Sequence, residues 1–344
     1  MTKRKQFWRQ IVGPVLSASL VVALFPGCGE SSRQGALAPG QESSVSRALA
    51  CAEEILAVPP DADGEFGAAS VARLQSCTEE LVTLGQQALP GLDRLLHGML
   101  DRSLETSSRG DAHILEVIAT KITYPDLAWK PDHFAFPWEP TLDNRKPVRR
   151  PWLRPFLLKV LKHGFVSKTE EQWFVWALWF HVPNPTDDLV TLAEWARCPR
   201  TRASGLLYLS KVSPLPRDEF TRAAASLMTS DRDSAPRTMA IALAAKFRLK
   251  DALHGLVDVA DSVDQADVMI MEDYVDRRFQ GSPSQEGART FVPTIGQLAV
   301  YAIQEITGKS FGFTNCYDCK DKMQEIVAGI RRELEPSGII RRGL

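Results

Sequence analysis

HVPNPTDDLVTLAEWA (residues 181–196), KVSPLPRDEFTRAAASL (211–227) and LKDALHGLVDVA (249–260) are three versions of one pattern. Each has an aspartate, Asp187, Asp218 or Asp251, shortly before a triplet of apolar residues. The triplets are Leu189, Leu192, Ala196; Phe220, Ala223, Leu227; and Leu253, Leu256, Ala260. Steps of three and four residues put each triplet on one face of an α-helix. The triplets recur after 31 and then 33 residues, and Pro183, Pro185 and Asp187 stand 31 residues before Pro214, Pro216 and Asp218. A helix pair of this length cannot bury its apolar face alone. Recurrence at this spacing therefore predicts an all-α chain built as an α-solenoid, a stack of antiparallel helix pairs.

Outward from the three outer helices, the inner ones are expected to carry Leu206, Leu207 and Leu209, then Met239, Leu243 and Phe247. Trp173 to Phe180 is apolar at eight successive positions, the pattern of a helix covered on all sides. Further helices are predicted from Asp111 to Ile122, Trp152 to Leu161, Val268 to Val275 and Ile295 to Thr307, with loop composition at Gly281 to Thr290. In LVTLGQQALPGLDRLLHGML (81–100) one helix ends at Gly85, and Ala88-Leu89-Pro90 opens another with Leu92, Leu95, Leu96 and Met99 inward. That stretch, and Ala235-Pro236-Arg237 to Ala260 with its short turn at Leu249-Lys250-Asp251, resemble HEAT repeats. The resemblance covers about half of the chain and implies a recognition scaffold, without naming what is recognised.

The chain opens MTKRKQFWRQIVGPVLSASLVVALFPGCG: a basic start, an apolar run from Ile11 to Phe25, then small residues and a cysteine. This is the layout of an export signal, with a run too short for a transmembrane helix. Gly27-Cys28 resembles the end of a bacterial lipoprotein signal, in which the cysteine is lipidated; Phe25 and Pro26 depart from that pattern. An ordinary secretory signal with an incidental cysteine is the alternative. The expected organisation is a signal over residues 1–28, a flexible tether over 29–43 and a repeat domain over 44–344. Removing Lys3, Arg4, Lys5 and Arg9 with the signal takes the formal charge from −1 to −5, which argues against nucleic acid as a partner.

The least repeat-like stretch is YPDLAWKPDHFAFPWEPTLDNRKPVRRP (124–151), whose six prolines forbid a long helix. A connection of this length is functional or a packed excursion. Tyr124, Trp129, Phe134, Phe136, Trp138, Arg149 and Arg150 are its candidate partner-binding residues, since interface energy concentrates in aromatic and arginine side chains. The competing expectation is that the aromatics seal the junction between helices. The basic residues from Arg145 to Lys168 are a solvated face or the footprint of an anionic partner.

Cys51 and Cys77 lie symmetrically about the PPDADG turn at 59–64, so an antiparallel hairpin brings them level and an exported chain is expected to bridge them. Two buried free thiols are the alternative. Cys316-Tyr317-Asp318-Cys319 has no second pair of soft ligands for zinc and no βαβ context for thioredoxin-like chemistry. Lys320 stands where a c-type haem motif has histidine; CxxCK resembles the lysine-ligated haem site of some multihaem nitrite reductases. A short disulfide before the final helix is expected, leaving Cys198 buried behind Trp195. The six histidines show no paired spacing and are expected at the surface or in loops. No phosphate loop, dinucleotide fingerprint or nucleophile elbow is present. The sequence thus predicts a non-catalytic scaffold, held at the cell envelope by lipid on Cys28 and binding a protein partner, with no cofactor, metal or small-molecule substrate. The alternative is an envelope redox or haem protein acting through Cys316 and Cys319.

Overall fold

The computed structural model describes residues 39–58, 66–103, 109–130, 133–134, 146–163, 171–267, 270, 292–314 and 319–334. The fold is all-α, and among the described residues the sole β feature is an isolated antiparallel bridge between Gln265 and Thr294. The chain divides into two compact units, residues 1–149 and 150–344.

In the first unit α1 (Pro39–Leu56) packs against α2 (Ala68–Leu84) and α3 (Leu89–Ser103), and α4 (Arg109–Thr123) lies on α2. Val71, Leu74, Thr78 and Leu81 of α2 are buried at helical spacing, and Ala48, Ala52 and Ile55 of α1 face them. Helix α2 stops at Gly85, whose φ of 58° lies where a Cβ is costly. The expected inward residues of α3, Leu92, Leu95, Leu96 and Met99, are all fully buried. Gly91 permits the α1–α3 crossing: a Cβ there would sit 2.3 Å from the Ala48 carbonyl oxygen. No larger residue fits without separating the two helices.

The second unit contains α5 (Arg154–His163), α6 (Glu171–His181), α7 (Thr186–Trp195), α8 (Pro199–Leu209), α9 (Arg217–Ser230), α10 (Ser234–Phe247), α11 (Leu253–Val259), α12 (Ile295–Thr307) and α13 (Met323–Leu334). Its helices fall into two rows in alternating chain order. Helices α6, α8, α10 and α12 contact one another in sequence, α5, α7, α9, α11 and α13 do the same, and successive helices such as α8 on α7 and α10 on α9 join the rows. All nine triplet residues are buried. The α6 residues Trp173 to Leu178 are buried in succession, as an inner helix requires. Gly205 of α8 lies so near α7 that a Cβ would come within 2.8 Å of the Ala193 nitrogen. Helix α12 has the predicted bounds and starts with a capping box, Thr294 accepting from the Gln297 N–H while the Gln297 side chain accepts from that of Thr294. The helix expected at 268–275 and the loop at 281–290 lie, apart from Ile270, outside the described residues.

Candidate functional site

The described part of the aromatic segment is bound down on its own unit. Lys121 of α4 falls seven residues after Ile114, on the same buried face, so its ammonium must find oxygen. It donates to the Pro125 and Leu127 carbonyls, both at 2.7 Å, and pairs with Glu79 of α2 at 2.9 Å. Trp129 donates from Nε1 to the same Glu79 carboxylate at 2.7 Å and lies under the Lys121 ammonium, 5.7 Å from the ring centre. Its ring stacks on Phe134 at 5.5 Å, and Phe134 meets Phe66 and His113 edge to face. Gln75 of α2 holds the Lys130 and His133 carbonyls, and His113 bonds the Phe134 carbonyl. Phe134 is buried and Trp129 half-buried. Burial pushes the half-buried Tyr124 phenol up to about 12.

Tyr124, Trp129 and Phe134 therefore pack within the first unit. Phe136 and Trp138 lie outside the described residues. Arg149 is exposed, and the Arg150 N–H donates to Nδ1 of His181, which is fully buried in the second unit. His181 and His113 thus correct the expectation that every histidine is a surface or loop residue: each is half-buried or buried with a backbone partner.

The hairpin of α1 and α2 does bring Cys51 and Cys77 together. Their side chains hydrogen-bond to each other, and Cys77 Sγ donates to Glu54 at 3.5 Å. Both are thiols in this structure. Burial, the neighbouring sulfur and Glu54 push Cys77 up to about 12; burial and then Glu80 raise Cys51. A thiol so held is a poor nucleophile. Cys28 and Cys316 lie outside the described residues. Cys319 is buried, its sulfur receiving the Thr314 N–H at 3.3 Å. Among the described residues no cluster of three or more His, Cys, Asp or Glu is arranged to hold a metal ion. A depression between α1 and α3, lined by Glu53, Leu56, Ala57, Arg94, Gly98 and Asp101, is open to solvent and brings no acid, base and nucleophile together.

The second unit has a built edge where its helices of one row hand over to the next. At the opposite end of α7, Arg154 of α5 takes Asp188, in the first turn of α7, in a bidentate pair at 2.7 and 2.8 Å. Arg202 of α8 grips Asp231 at 2.6 and 2.9 Å and Asp233 at 2.8 Å, both in the α9–α10 connection. The same guanidinium donates to the Ala196 and Arg197 carbonyls of the α7–α8 connection. Arg237 of α10 holds Asp264 and Ser262 beyond α11 at 2.6 and 3.3 Å, and keeps the Asp264 carboxyl below the usual range. Arg200 reaches Asp267 at 3.2 Å.

On this edge Trp195 is 78% exposed and Val263 84%. Trp195 does not cover Cys198, as had been expected, because it points away from the packed face. The helical wheel carried that signal: six residues past Leu189 is roughly 120° off the buried stripe. The Lys121 anchor was signalled by a lysine on an apolar face. No family model, curated protein or solved structure matches the chain. Among the described residues no helix is long and apolar enough to cross a membrane.

Proposed function

We propose that this chain is a non-catalytic, protein-binding scaffold of HEAT-like repeats, anchored at the cell envelope by lipid on Cys28. One observation carries the reading: the second unit alternates its helices between two rows, and Arg202 and Arg237 each tie an aspartate of a later connection. Such an array keeps each helix pair against its neighbours and offers connections and outer faces to a partner. A lipid anchor with a polar tether would hold that array clear of the membrane, the arrangement the sequence MTKRKQFWRQIVGPVLSASLVVALFPGCG and the stretch after it support.

The anchor is tested by fractionating cells that express the full chain or Cys28→Ala. Wild type is expected in the membrane pellet and the variant in the soluble export fraction. Equal release of both would contradict the anchor.

A further inference from the structure

Every carboxylate from Asp231 to Asp267 that lines the loop edge of the second unit is engaged: Asp231 and Asp233 by Arg202, Asp264 by Arg237, Asp267 by Arg200. Glu194 and Asp261 at its margins are paired with Arg222 and Arg331. Arg197 and Arg232 are both exposed, and among the described residues neither guanidinium makes an ion pair. The connections that carry them stand close together, because one Arg202 guanidinium spans from the Arg197 carbonyl to the two aspartates flanking Arg232. Beside Arg197 is Trp195, the most exposed large aromatic among the described residues, with Val263 on the following connection of the same edge.

We propose that this edge docks an acidic segment of a partner protein, with Trp195 covering an apolar side chain and Arg197 and Arg232 taking its carboxylates. The inference rests on the scaffold reading and gives the partner a chemistry. Charge complementarity selects the occupant: the side chains named on the edge and its margins are seven arginines against six carboxylates, and the two arginines outside those pairs are the exposed ones, although the chain as a whole is acidic. Tryptophan and arginine are also the side chains that carry interface energy when a partner covers them. Two cations suit a pair of peptide carboxylates. A lipid surface or nucleic acid is an extended polyanion whose affinity grows with the number of cations that meet it, and two give little.

The test uses the full chain in detergent, the fluorescein-labelled peptide EDLEDFEDL and its uncharged counterpart QNLQNFQNL, read by fluorescence anisotropy. The acidic peptide is expected to bind saturably and to weaken as salt rises through about 0.1 M, where exposed charges become screened. Trp195→Ala and the double variant Arg197→Ala/Arg232→Ala are each expected to weaken binding at least about tenfold, with melting temperatures unchanged because all three side chains are exposed. Equal binding of both peptides, no binding, or variants that bind like wild type would overturn the proposal. So would sedimentation with phosphatidylglycerol vesicles that depends on these residues in a chain that ignores the peptide. A protein that co-purifies with wild type and is retained by both variants would overturn this edge and leave the scaffold reading standing. No co-purifying protein at all would overturn both.

Discussion

Cys77 donates to Glu54 across 3.5 Å and shares a hydrogen bond with Cys51, so ionising it sets a negative charge beside a carboxylate in a place with little water. The thiol is favoured for that reason, and the sign of the pH effect follows. Its folded-state value lies near 12, above the ordinary 9.0, so the stability it contributes is complete below 9.0 and is lost as pH rises toward 12. Glu54→Gln removes the charge beside the thiol and leaves only a neutral amide oxygen as acceptor. Alkylation of Cys77 by iodoacetamide at mildly alkaline pH should then quicken about tenfold, the effect of lowering a thiol value by one unit. Peptide mapping of the labelled protein reads the rate; an unchanged rate would mean that burial alone sets it. The same proximity of Cys51 and Cys77 makes a bridge geometrically close at hand for an oxidant.

At the scale of elements, the segment after α4 behaves as part of the first unit's core, because Phe134 is buried among Trp129, Phe66 and His113. Phe134→Ala should cost about 3–5 kcal/mol, as emptied aromatic core sites do, and half-buried Trp129→Ala somewhat less. Thermal or denaturant unfolding checks both, with exposed Trp195→Ala as the control that should not move. Loss of partner binding without loss of stability in Phe134→Ala would restore the segment as a docking loop. Regular elements were legible in the sequence because burial writes a period: the triplets of α7, α9 and α11 and the bounds of α12 follow from spacing alone. The aromatic segment was not, because aromatics that close a core and aromatics that await a partner have the same composition. What decided between them was Lys121 and Glu79, far apart in sequence and joined only by the fold. Trp195 is exposed because its angle on the helix turns it off the buried stripe, which hydrophobicity alone does not reveal.

At the scale of the molecule, the second unit's two rows of helices and its chain of arginine clamps leave a surface in which charge and exposed aromatic area are unevenly distributed. Among the described residues no acid, base and nucleophile converge, and the buried polar side chains, Thr201, Thr238 and Gln297 among them, sit within the helical rows. The proposed function of holding another protein would use that outer surface. The most direct measurement is affinity purification of the full chain from detergent-solubilised native membranes, with the stoichiometry of what comes with it determined by quantitative mass spectrometry. A single protein species at a constant ratio to the chain is the predicted result. A chain that purifies alone, carrying a Soret-absorbing group or exchanging disulfides, would contradict it.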